Sequence, residues 1–189
     1  SGCMLCLMGW TLAVGADDPQ PTRIGYTGQG LVLHAQTRTP DQMAAFYTGR
    51  GFPAAMLEPI THVCFLTVSM RHTRKDVVWL EPSRWRLLDA RGNSVQRLDR
   101  DFWNRVWETM QAPPASRATF GWTQLPESRD LQPDEPVGGN ITLVAPTGPF
   151  SLEARFATGR DKKGPEIVVR IADLVCHGQA ADQAGQGGS

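Results

Sequence analysis

The sequence predicts a mainly β protein, an antiparallel β-sandwich of seven or eight strands with two short inserted helices. Two observations carry this. Residues 62–95 read as strand, polar loop, strand, proline break, strand and turn. Residues 150–156 alternate Phe150, Leu152, Ala154 and Phe156 against Ser151, Glu153 and Arg155, the pattern of a half-buried strand. At 189 residues, with 41% hydrophobic and 20% charged residues, the chain can build one real core. The formal net charge of +0 gives no long-range field toward nucleic acid or an anionic membrane.

Taken in order, residues 3–16 form an uncharged apolar run that is shorter than the ~20 residues of a membrane span. It ends in Val14-Gly15-Ala16 and is followed by Asp17-Asp18-Pro19, which resembles the apolar region and cleavage site of a secretory signal, with a mature start near Asp17. Ser1-Gly2-Cys3 offers a second reading, acylation of Cys3 as a lipid anchor, and a buried N-terminal element is a third. Residues 17–29 read as a mobile lead-in, and 30–36 as a first strand. Thr39-Pro40-Asp41-Gln42 is a capping-box helix start, with Met43, Phe46 and Tyr47 on one face and Gly49 and Gly51 at the stop. Residues 52–59 read as an irregular or single-turn connection.

Residues 63–70 are β-branched and aromatic, hence a strand. Residues 77–80 and 84–88 flank Pro82, which has no N–H for a ladder, and 89–93 supply turn residues. After a short strand at 94–98, Asp99 caps a helix on which Phe102, Val106 and Met110 make the docking stripe, ended by Pro113-Pro114. Residues 117–125 read as a strand with Phe120 and Trp122 on one face, 137–144 and 166–176 as further strands, and 178–189 as a disordered tail. One domain thus spans 30–177.

The strand, polar loop and strand of 65–95, with Asp89 and Gly92 in its turn, followed by Leu131, Pro133, Glu135 and Gly138, resemble the immunoglobulin-like secreted domains of unknown function found in bacterial lipoproteins and exported proteins. The resemblance covers roughly half the chain and is one of turns. It implies an immunoglobulin-like sandwich and no chemistry. The helix from Asp99 to Met110 departs from it as an insertion, and so does a pairing of Cys64 with Cys176, which would tie an early strand to the last one.

That pairing follows from export: with Cys3 and Cys6 removed, Cys64 and Cys176 are the remaining pair and read as one disulfide. His62, Cys64, Met70 and His72 share strand parity, and histidine with sulfur suits copper or zinc. On one regular strand, however, His62 and His72 would sit ~33 Å apart, so the core-face reading is preferred. No nucleophile elbow or zinc-protease motif occurs, and residues 25–30 lack the Lys-Ser/Thr of a phosphate loop, so no cofactor is expected. Asn140-Ile141-Thr142 is a glycan sequon placed in a strand. Trp85 and Trp122 read as core. Trp103 and Trp107, four apart, offer an aromatic surface with Arg100, or else pack inward. The expectation is an exported, periplasmic or extracellular, non-enzymatic domain binding a protein or envelope component, with no nucleic-acid partner. A metal carrier and an unrecognised hydrolase are the alternatives.

Overall fold

A computed structural model of the protein describes residues 23–178. The expected leader, the Cys3 anchor, residues 17–22 and residues 179–189 lie outside the described residues. The fold is mainly β, with two antiparallel sheets and four α-helices among the described residues. No helix among them is long and apolar enough to cross a membrane.

The first sheet begins with a hairpin of β1 (Ile24–Gly28) and β2 (Leu31–Arg38), paired antiparallel from Ile24 opposite Ala35 to Gly28 opposite Leu31. The two loop residues, Gln29 and Gly30, have φ of 53° and 73°. Such a two-residue turn with both φ positive matches the strand twist, and glycine accepts it without strain. Residues 24–28 are therefore paired strand and not lead-in, because the Gln29-Gly30 turn folds them back on β2 and Ile24 and Tyr26 pack against the core. The sheet continues through β3 (Cys64–His72) and β8 (Val137–Leu143) to the two-residue β6 (Arg97–Leu98).

The second sheet runs β10 (Ile167–Leu174), β9 (Phe150–Thr158), β4 (Val78–Leu80) and β7 (Arg129–Leu131), with β5 (Arg86–Asp89) also paired to β9. Leu33, Leu66 and Leu143 from the first sheet and Leu80, Phe156 and Val169 from the second belong to one hydrophobic core. Removing this apolar surface from water is the main force holding the sheets face to face. Cys64 and Cys176 are joined, with Cα atoms 5.7 Å apart, so the segment after β10 is fastened to the start of β3. Cys176 lies beyond the last strand, which ends at Leu174 and not at 176.

The helices depart most from the sequence expectation, four in place of two. α1 (Pro40–Thr48) has the expected capping box: Gln42 N donates to Thr39 Oγ1 at 3.2 Å, and Thr39 N donates to Gln42 Oε1 at 3.1 Å. α2 (Ala54–Thr61), longer than a single turn, replaces the expected irregular or single-turn connection and contains Pro59. Met56 and Ile60, one turn apart, bury against Tyr47 and Phe65, and this packing outweighs a poor local sequence. α3 (Arg100–Thr109) has its expected cap, with Phe102 N donating to Asp99 Oδ1 at 2.9 Å. Its buried face is Trp103 and Trp107, one residue round from the expected stripe, and Met110 is exposed. α4 (Pro114–Thr123) stands where a strand was expected. Pro114 starts a helix here, the first-turn role proline also suits, and Phe120 turns inward while Trp122 is 84% exposed. The core position expected for Trp122 is thereby overturned. That expected for Trp85 is met, since Trp85 packs edge-on against Phe156.

Candidate functional site

The outer face of the first sheet, turned away from the shared core, is covered by the helices. Side chains alternate along a strand, so with Leu66 and Ile141 facing the core, Phe65 and Thr67 of β3 and Asn140 and Thr142 of β8 face outward. A second apolar cluster sits on this face: Tyr47, Met56, Phe65, Trp103, Trp107 and Phe120 are among its members. The Trp103 and Trp107 rings stack at 5.0 Å, and Phe120 contacts them at 4.8 and 5.0 Å.

The Trp107 indole N–H is buried without a hydrogen-bond partner among the described residues, but the other polar groups under this cluster are engaged with one another. Trp103 Nε1 donates to Thr142 Oγ1 at 2.7 Å, and that hydroxyl donates onward to the Leu98 carbonyl at 2.8 Å. Thr67 Oγ1 donates to Asn140 Oδ1 at 2.8 Å and accepts from Arg38 Nε at 3.0 Å. The glycan sequon is thus spent on structure: Asn140 is 8% exposed and its amide oxygen is taken. Tyr47 shares its hydroxyl with Thr123 Oγ1 at 2.7 Å and accepts from Gln124 Nε2 at 3.2 Å. Burial pushes the Tyr47 phenol up to about 12, against the opposing pull of those hydrogen bonds.

Between α3, α4 and the outer face of β8 lies a cavity of about 290 Å³. Its buried lining includes Trp103, Trp107, Phe120 and Thr142; its exposed or half-buried lining includes Arg100, Arg117 and Trp122. Three arginines and two carboxylates, Arg97, Arg100 and Arg117 against Asp99 and Glu127, leave the lining one positive charge in excess. Arg97 holds Glu127 through two bonds of 3.1 and 2.7 Å, and Glu127 Oε1 also accepts from the Arg100 backbone N–H at 3.3 Å. Asp99 is occupied as the α3 cap. Arg117 reaches Glu108 at 3.3 Å, in an exposed pair of small energetic weight. The Arg100 guanidinium has no carboxylate partner among the described residues, and a Cβ added at Gly121 would stand 3.3 Å from its Nη1. Glycine at 121 therefore lets Arg100 cross from α3 to the surface of α4.

Of the residues singled out in the sequence, Arg100 stands at this mouth. Trp103 and Trp107 lie beneath it at 3% and 1% exposure. Of the two arrangements the sequence offered for them, they take the inward one: a pair four apart shares one helix face, and that face turns onto the sheet, where Thr142 needs a donor and Phe120 a neighbour. His62, Met70 and His72 are not brought together. His62 ends α2 before β3 starts and is exposed, its Nδ1 2.7 Å from the Glu58 carbonyl. Met70 is in the shared core, and His72 is buried with Nε2 2.9 Å from the Leu131 carbonyl. Among the described residues no three His, Cys, Asp or Glu side chains are placed to hold a metal ion. Trp122, Arg117 and Gly121 were missed because 117–125 looked like a strand. The signal that could have found them is Pro113-Pro114 read as a helix start followed by Ala115 and Ala118.

No family model matches this sequence, and no curated protein matches it. Two solved structures from Bacillus subtilis resemble it in part. One is ycdA, a suggested lipoprotein, at 17% identity and a TM-score of 0.37, covering 59% of this chain and 29% of its own. The other is yjhA, at 13% identity and a TM-score of 0.36, covering 58% of this chain and 74% of its own. The chain therefore spans less than a third of ycdA. Both likenesses are too slight to carry a fold or a function across.

Proposed function

We propose that this chain is an exported, non-enzymatic binding domain, an immunoglobulin-like sandwich that takes a group of a protein or envelope partner into the cavity between α3, α4 and β8. The observation that carries the reading is Trp122, 84% exposed, beside Arg100 at the mouth of a cavity with an aromatic floor. A large ring in water next to an unpaired cation is costly surface for a fold to keep, and tryptophan and arginine are the side chains most enriched where partners are gripped. The volume, about 290 Å³, is that of a small pocket and admits one side chain or ring. Thr142 and Asn140 are spent on Trp103, Leu98 and Thr67, so the floor offers shape and a few polar contacts rather than a free nucleophile or base. The Cys64–Cys176 bond supports an oxidising compartment, hence export.

Backbone amide shifts of the labelled chain, recorded against a set of small aromatic and aliphatic compounds, test this. Hits should move amides of residues 99–107 and 117–124 and leave β9 and β10 unmoved. A set whose hits map to the far sheet, or that yields none, rejects the cavity as a binding site.

A further inference from the structure

We infer that the group taken into this cavity is a carboxylate on an apolar body, either the C-terminal residue of a protein partner or a free organic acid. The inference rests on the binding reading above and names the chemistry of its ligand.

The body is set by the floor. Trp103 and Trp107 stack at 5.0 Å and Phe120 closes beside them, so the lower wall is made of ring faces and edges, which favour an aromatic or aliphatic occupant. Trp122, on α4 and open to water, can lie over the outer side of such a group. The head is set by the mouth. Arg97 is already satisfied through both oxygens of Glu127, whereas Arg100 has no acid partner among the described residues and Arg117 is held only by exposed Glu108 at 3.3 Å. A guanidinium fork fits a planar carboxylate with two parallel bonds. The same lining shows the fit internally, where Glu127 takes the Arg97 fork and the Arg100 amide together. Arg100 is thus the one guanidinium of this lining without a carboxylate partner among the described residues, and a single such cation matches a monoanion better than a doubly charged phosphate.

The test is calorimetric titration of the full chain at low salt with 3-phenylpropionate, its primary amide and inorganic phosphate. A second pair of probes is a short peptide ending in phenylalanine, with a free or an amidated C-terminus. The acid should bind about tenfold tighter than the amide, the worth of one charge-assisted contact. Arg100→Gln should abolish that difference while leaving amide affinity and melting temperature as they were, and Trp122→Ala should weaken acid and amide alike. A free-ended peptide tighter than phenylpropionate assigns the carboxylate to a protein C-terminus; the reverse order assigns it to a small acid. Equal binding of acid and amide overturns the inference but leaves the cavity as a binding site. Phosphate displacing the acid at equal affinity overturns it in favour of general anion binding. Binding of none of the probes overturns it outright, and the amide-shift experiment then decides whether the cavity binds anything.

Discussion

Tyr47 shows how a single group records its surroundings. It is fully buried, ringed by Phe46, Phe52, Phe65 and Phe120, and its hydroxyl is shared with Thr123 and Gln124. Burial raises its pKa from 10.0 to about 12, so the fold favours the neutral phenol. The sign follows directly: the contribution is whole below pH 10 and is lost as pH rises through about 12. A shift of that size corresponds to about 3 kcal/mol over the interval. Unfolding free energies from urea titrations between about pH 9 and pH 12 should fall steeply for the natural chain, and the fall should be smaller by about that amount in Tyr47→Phe. Parallel profiles for the two proteins would show that the phenol does not titrate with unfolding.

At the scale of elements, the placement of α4 decides the cavity, and α4 is held by a close crossing. After α4 the chain passes over β8, where Leu125 N donates to the Asn140 carbonyl at 2.9 Å and Gln124 bridges Asn140 in parallel. A Cβ added at Gly139 would meet Leu125 N at 2.5 Å and the Gln124 carbonyl carbon at 2.7 Å, both backbone atoms that cannot swing aside. Gly139→Ala should therefore push the end of α4 off the sheet and cost about 1–3 kcal/mol, as overpacking does. The sharper readout is hydrogen exchange at the Leu125 amide, which should quicken much more than exchange in β9. Unchanged protection at Leu125 would mean the crossing has slack that the geometry denies. This crossing also explains why β8 carries glycine at 139, where it makes room for a passing backbone.

For the molecule as a whole, the Cys64–Cys176 bond closes a span of 112 residues that contains the helices α3 and α4 and the strands β3 to β10. Constraint of the unfolded chain by a loop of this length is worth about 4–5 kcal/mol on a chain-entropy view. Removal of both sulfurs together, in Cys64→Ala with Cys176→Ala, should lower the unfolding free energy by that order while leaving the native circular dichroism at low temperature intact. An unchanged denaturation midpoint would place the stability wholly in the two apolar clusters.

Much of this was legible in the sequence, and for local reasons. The strands β3, β4, β5, β8 and β9 announce themselves by alternation and by the turn residues between them. The starts of α1 and α3 are written in Thr39 with Gln42 and in Asp99, because a cap is a bond between near neighbours. The pairing of Cys64 with Cys176 needed only a count of the cysteines outside residues 3–16. What only the tertiary structure decided is everything that depends on a far partner. Residues 24–28 are a strand because β2 lies beside them. Residues 54–61 are a helix because Tyr47 and Phe65 receive Met56 and Ile60. Residues 114–123 could have alternated as a strand or wound as a helix, and burial of Phe120 against Trp103 and Trp107 selects the helix. The cavity itself follows from that selection, since winding α4 turns Trp122 outward and sets Gly121 beneath Arg100. Periodicity along the chain fixes which residues share a face, but the direction that face points is fixed by what stands opposite it.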